Sequence, residues 1–79
     1  MPVVRYFASA RAAAGVSEEV VPAGTLDELR STLAATHGER LAAVLQVASF
    51  LVDGVAWRDP AAPLPPDGTV DVLPPFAGG

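Results

Sequence analysis

The segment TLDELRSTLA, residues 25–34, predicts the main helix of the domain. Thr25 and Glu28 predict a capping box, in which the threonine hydroxyl accepts a hydrogen bond from the backbone N–H of Glu28 while the glutamate side chain reaches back to the cap. Three leucines recur at helical spacing and predict one apolar face: Leu26, Leu29 and Leu33. An apolar helix face has to be covered by other structure, so the segments on either side of the helix decide the architecture.

Two extended segments precede this helix. Residues 2–7 alternate between inward and outward positions, with Phe7 outward, and residues 17–21 return as the second strand of a hairpin. Residues 8–14 between them are rich in alanine and predict a turn of helix or a tight loop. The inward positions of the first strand are Val4 and Tyr6.

Further extended segments follow the helix. A second, shorter helical stretch comes first, and residues 50–57 then predict a hairpin with Asp53-Gly54 at a type I′ turn. Residues 58–66 contain four prolines and predict an irregular surface loop. Residues 69–73 alternate again, which predicts the last strand.

The order of these elements predicts an α+β fold. We expect a mixed sheet with one main helix packed across it and with the first and last strands adjacent. In the last strand, Val70 and Val72 face inward, whereas Asp71 and Leu73 face outward. Leu73 is therefore expected to point to solvent.

An extended tail, residues 74–79, follows a domain of residues 1–73 and ends in Gly78-Gly79. At average glycine content, two final glycines occur by chance in about one chain in two hundred. The tail before them is apolar and stiff, because prolines fix φ and remove backbone donors. Its residues are Pro74, Pro75, Phe76 and Ala77. Fully extended, the tail reaches about 20 Å from the domain, so we expect it to be inserted into a channel of a partner.

Composition excludes several classes of function. The chain has 79 residues, a net charge of −4, no cysteine and no lysine. These features argue against a nucleic-acid-binding protein, a disulfide framework and a cysteine metal site. The sequence lacks the run of about 20 apolar residues that spans a membrane, and its start lacks the apolar core of a secretion signal. We expect a soluble, cytoplasmic protein with neither nucleic acid nor membrane as partner.

The chain offers few groups for catalysis of its own. Its single histidine, His37, has no second metal ligand in the pattern, so we expect no metal site and no bound cofactor. The carboxylate of Gly79 has unusual access, because glycine lets an enzyme close tightly around the backbone. Attack of that carboxylate on the α-phosphate of ATP gives an acyl adenylate. The adenylate then accepts sulfur to form a thiocarboxylate, or an amine to form an isopeptide, and the residues do not choose between them.

Three groups of residues resemble a known family. They are Arg5-Tyr6-Phe7-Ala8 with Arg11 and Gly15, Asp67-Gly68-Thr69-Val70, and the final Leu73-Pro74-Pro75-Phe76-Ala77-Gly78-Gly79. With these residues the chain resembles the small subunits of molybdopterin synthase (MoaD-like), within the ubiquitin-like sulfur carriers. The resemblance covers essentially the whole chain, and its most specific part is the last group. Phe76 departs from the smaller aliphatic residue expected there.

The resemblance implies a β-grasp (ubiquitin-like) fold and a reaction cycle. In that cycle an E1-like adenylating enzyme uses ATP to activate Gly79, a sulfurtransferase supplies sulfur, and Gly79 carries it as a thiocarboxylate. The tail from Pro74 to Gly78 enters the molybdopterin synthase large subunit, where the sulfur passes to a pyranopterin precursor of the molybdenum cofactor. The alternatives are a sulfur carrier for thiamine, cysteine or tRNA thiolation, and a ubiquitin-like protein modifier or binding module.

A partner surface is expected beside the tail. Phe7 and Leu73 both fall on outward strand positions, and they form an exposed apolar patch if their strands are neighbours. Trp57 on the hairpin either extends this patch or covers the core. We assign it to the partner interface with both alternatives open.

Overall fold

The fold is a five-stranded sheet with helices packed on one of its faces. The computed structural model describes residues 1–75. Within them the strands are β1 (Val3–Tyr6), β2 (Glu18–Val20), β3 (Ser49–Val52), β4 (Val55–Ala56) and β5 (Thr69–Leu73). The helices are α1 (Ala8–Ala14), α2 (Leu26–His37) and α3 (Glu39–Val47).

The sheet is mixed, with the strand order β2-β1-β5-β3-β4. β1 and β5 are parallel neighbours at its centre, with Val4 opposite Val70 and Tyr6 opposite Val72. β2 pairs with β1, and β3 with both β5 and β4, in antiparallel fashion. The predicted α+β fold is therefore confirmed, including the adjacency of the first and last strands. Besides the predicted main helix α2, residues 1–75 contain the helices α1 and α3.

Capping residues in the sequence determine where α2 begins and ends. Oγ1 of Thr25 accepts a hydrogen bond from the backbone N–H of Glu28 at 3.1 Å, which confirms the threonine half of the predicted capping box. Gly38 ends the helix at a φ of 92°, and its backbone N–H donates to the carbonyl oxygen of Ala34. α3 begins directly afterwards, so the predicted second helical stretch is confirmed. The alanine-rich segment between the first two strands, for which the sequence predicts a turn of helix or a tight loop, forms the helix α1 and ends at Gly15.

The hydrophobic core lies between the helices and the inward face of the sheet. The sheet contributes the alternate residues of its central strands, among them Val4, Tyr6, Val70 and Val72. The helices contribute buried leucines: Leu26, Leu29 and Leu33 of α2, as the spacing predicts, together with Leu41 and Leu45 of α3. The opposite face of the sheet has none of these helix residues against it. We call it the open face.

Two connections complete the fold. Asp53 and Gly54 join β3 to β4 with φ values of 50° and 82°, which is the type I′ geometry predicted for this pair. Residues 58–66 form a loop, as predicted, and its Leu64 is buried in the core. Each helix within residues 1–75 falls short of the length and apolarity that a membrane crossing requires.

Candidate functional site

Phe7 and Leu73 lie side by side at one end of the two central strands. β1 and β5 run in parallel with Tyr6 opposite Val72, and the backbone N–H of Phe7 donates to the carbonyl oxygen of Val72 at 3.3 Å. Phe7 is 40% exposed. Leu73, which was expected to point to solvent, is half-buried. The two residues are therefore neighbours in the sheet, as the sequence predicts, and their part in a partner surface stays a prediction.

The predicted tail begins at this end of the sheet. β5 is the middle strand of the five, and Pro74 and Pro75 follow it directly. A tail that leaves from a central strand has a base that is held by neighbours on both sides. The other residues assigned to the tail and the reactive end lie outside the described residues: Phe76, Ala77, Gly78 and Gly79.

Trp57 is not part of the group formed by Phe7 and Leu73. Its backbone N–H donates to the carbonyl oxygen of Phe50, and its side chain packs against the hydrophobic core. Phe50 lies opposite Val72, so Trp57 is two strands away from β5, or about 10 Å at the usual strand spacing. Its indole Nε1 is buried and has no hydrogen-bond partner among residues 1–75. Much of the Trp57 side chain thus packs against the core, which is one of the two alternatives that the sequence leaves open.

An ion pair crosses the two central strands on the open face. Arg5 lies opposite Asp71, and its Nε and Nη2 atoms donate to the two carboxylate oxygens at 2.7 and 2.9 Å. Asp71 was expected to face outward, and it does occupy an outward position, but it is only 8% exposed because Arg5 lies over it. The hydrogen bonds to Asp71 and the charge of that carboxylate raise the pKa of Arg5.

This ion pair was missed at the level of sequence although a signal was present. Arg5 and Asp71 hold outward positions in the first and last strands, which were themselves expected to be adjacent. Opposite charges at facing positions of neighbouring strands favour a cross-strand pair. The guanidinium carbon of Arg5 also lies 5.8 Å from the ring centroid of Phe7, so the pair is continuous with the patch.

A second polar cluster lies on the helix-covered side of the sheet. The hydroxyl of Tyr6 donates to Oε2 of Glu19 at 2.6 Å, and Nε2 of His37 lies within hydrogen-bond distance of the same oxygen. The rings of Tyr6 and His37 meet edge to face with centroids 6.1 Å apart. Burial, together with the hydrogen bond to Glu19 and its charge, raises the pKa of Tyr6. The cluster connects the end of α2 to the edge strand β2, so we assign it a role in stabilising the fold.

The sequence identifies the family of the chain. It matches the ThiS family over residues 4–79, a range that includes all but the first three residues of the domain and also the Gly78-Gly79 end. The chain belongs to the ThiS family. It is a ubiquitin-like sulfur carrier of the ThiS/MoaD type, as the motifs around Arg5 and the tail predicted.

Solved structures agree with this assignment. The chain is 26% identical to a chain in the complex of subunits 1 and 2 of molybdopterin-converting factor from Helicobacter pylori, with a TM-score of 0.73 and coverage of 99% of this chain and 97% of that one. It is also 26% identical to the Haloferax volcanii HVO 2177 protein, with a TM-score of 0.77 and coverage of 99% and 85%. A comparison with curated proteins finds no match.

A more distant structure shares the fold alone. SAMP1 from Haloferax volcanii is 19% identical, with a TM-score of 0.72 and coverage of 99% of this chain and 98% of that one. These neighbours are β-grasp proteins, so the predicted β-grasp fold is confirmed.

Proposed function

We propose that this ThiS-family chain is the sulfur-carrying small subunit of molybdopterin synthase. The observation that carries the proposal is the 26% identity, over 99% of the chain, to a chain in a complex of molybdopterin-converting factor subunits. The family match through Gly79 supports the carrier role of the tail. Membership of the family alone leaves the sulfur-acceptor pathway open, so the pathway rests on the structural neighbour.

Gly79 is the reactive residue in this proposal. An E1-like adenylating enzyme activates it: the terminal carboxylate attacks the α-phosphate of ATP, and pyrophosphate leaves. Sulfur supplied through a sulfurtransferase then takes the place of AMP on the glycyl carbonyl carbon, which leaves a thiocarboxylate. The carrier supplies the acyl group, whereas ATP is bound and used by the activating enzyme. No cofactor is assigned to the carrier itself.

The remaining site residues serve to present Gly79. Pro74, Pro75, Phe76, Ala77 and Gly78 form the segment that enters the large subunit, and the two prolines keep it extended. Phe7 and Leu73 meet the large subunit at the base of the tail, where apolar side chains are partly exposed. Trp57 is assigned to the edge of that interface. The sulfur passes within the large subunit to a pyranopterin precursor of the molybdenum cofactor.

Intact-mass spectrometry tests the carrier step. The chain is incubated with ATP, a sulfur donor and the adenylating enzyme of the same organism, and the expected product is heavier by the exchange of one oxygen for sulfur. A variant that lacks Gly79 is the matched control, and it should keep its circular-dichroism spectrum and show no mass change. An unchanged mass in the full chain, or sulfur on the truncated one, contradicts the proposal.

Adding the large subunit and the pyranopterin precursor tests the pathway. The thiocarboxylated chain should lose its sulfur and molybdopterin should form. A thiocarboxylate that persists in this mixture points to a thiamine, cysteine or tRNA pathway instead. Covalent conjugates to lysine side chains of other proteins would identify a protein modifier.

A further inference from the structure

A row of charged side chains crosses the open face of the sheet. Arg5 is opposite Glu18 of β2 on one side and opposite Asp71 of β5 on the other, so an acidic, a basic and an acidic residue follow one another. Leu51 of β3 continues the row beyond Asp71. The row therefore has one positive group at its centre and a net negative charge, and the apolar residues Phe7 and Leu51 lie beside it.

Asp71 holds the guanidinium group of Arg5 in one orientation. The two hydrogen bonds use both carboxylate oxygens and the Nε and Nη2 atoms, which is the bidentate geometry that fixes the plane of an arginine. The ring of Phe7, with its centroid 5.8 Å from the guanidinium carbon, is a further contact of the same group. Little conformational freedom of this side chain is then left to lose when a partner binds.

The same geometry leaves part of the guanidinium available. Both of its hydrogen bonds within residues 1–75 go to Asp71, and neither uses Nη1. The side chain is 49% exposed, whereas that of Asp71 is 11% exposed. The open face thus offers an oriented N–H donor beside the exposed ring of Phe7, and its positive charge is already balanced by Asp71.

We propose that Arg5 is a specificity-determining contact of the open face, at which Nη1 donates a hydrogen bond to a neutral oxygen of the large subunit. This inference rests on the proposed function and names a docking residue within it. A main-chain carbonyl or side-chain amide oxygen fits better than a carboxylate, because Glu18 and Asp71 already surround Arg5 with negative charge. The partner surface is accordingly apolar around one neutral acceptor.

The double variant Arg5→Gln/Asp71→Asn separates docking from folding. It removes both charges together and leaves neither side chain as an unpaired buried ion, so the free energy of unfolding in urea should stay close to that of the natural chain. Its dissociation constant for the large subunit of the same organism, measured by calorimetry, should rise by about tenfold or more, as expected for the loss of one charge-assisted hydrogen bond. A folded double variant that binds as tightly as the natural chain overturns the inference.

Two further variants complete the experiment. Arg40→Gln makes the same exchange on exposed α3, away from the open face, and should leave the dissociation constant unchanged. Arg5→Lys keeps the positive charge beside Asp71 and thus protects the fold, but it lacks the second amino group and should also weaken binding. Full affinity in Arg5→Lys would mean that charge alone matters and would contradict the assignment of Nη1.

The salt dependence identifies the acceptor. With a neutral oxygen opposite Arg5, the dissociation constant of the double variant divided by that of the natural chain should change little between low and high salt. A ratio that falls steeply with salt indicates a carboxylate and overturns the choice of acceptor. If the natural chain fails to bind the large subunit, the proposed pathway is contradicted. If all variants bind as tightly as the natural chain, only the role of Arg5 is contradicted.

Discussion

The two faces of the central strands β1 and β5 carry different chemistry. On the helix-covered face, Val4, Val70 and Val72 are fully buried, and Tyr6 is 3% exposed. On the open face, Arg5 and Asp71 form a charged pair beside the partly exposed Phe7. The covered face therefore accounts for stability, and the open face keeps charge and apolar area in contact with solvent. Substitutions on the two faces should then have separable effects.

Shortening a leucine of the covered side should give the largest loss of stability. Leu29 of α2 is fully buried in the core, so Leu29→Ala should lower the free energy of unfolding by about 3 kcal/mol. Leu51→Ala makes the same change at a half-buried position of the open face and should cost about 1 kcal/mol or less. Urea unfolding measures both. Equal losses at the two positions would contradict the division of labour between the faces.

Alkaline pH should destabilise the fold through Tyr6. Burial and Glu19 raise the pKa of Tyr6, so its neutral form is favoured in the folded protein, while an unfolded tyrosine ionises near its ordinary value of about 10. This contribution is complete below that value and is lost as pH rises above it. The free energy of unfolding should fall by about 1.4 kcal/mol for each pH unit above 10.

The composition makes this measurement clean. Tyr6 is the single tyrosine, and the chain has neither cysteine nor lysine to titrate in the same range. Urea unfolding between about pH 8 and 11 gives the slope. Tyr6→Phe is the matched control, and its stability should be lower at neutral pH, since the bond to Glu19 is lost, but nearly level across this range. A natural chain with a level profile, or a variant with the same slope, would exclude Tyr6 as the source.

The covered face was predictable from sequence because its signals are local. Alternation assigned Val4 and Tyr6 inward in the first strand, and the leucine spacing with the Thr25 cap assigned α2. The cluster of Glu19 and His37 was not predicted, because it depends on where the end of α2 lies over β2. The position of the end of α2 relative to β2 is set by packing of the whole core, and neither segment carries a sequence pattern that predicts it.

The open face was predictable in part. Outward positions for Phe7 and Leu73 followed from alternation, and their proximity followed from the adjacency of the first and last strands. The burial of Asp71 was missed because alternation gives a side and not an exposure, and a long arginine on the next strand can cover a short carboxylate. The position of Trp57 was left open for a similar reason, since the two-residue strand β4 is too short for alternation to decide a face.

Charge at Leu73 should change stability least and sharpen the comparison most. Leu73→Glu places a carboxylate at the half-buried end of β5, and we expect the free energy of unfolding to fall by less than about 1 kcal/mol. The same change should weaken binding to the large subunit by about tenfold or more. It replaces an apolar side chain at the base of the tail with a carboxylate, which has to lose its hydration when the partner binds. Val55→Glu is the matched control, since Val55 is a 62% exposed apolar residue at the opposite end of the sheet. Calorimetry should give an unchanged dissociation constant for Val55→Glu. If Leu73→Glu bound equally well, the apolar patch would have no part in docking, and the open face would present Arg5 alone.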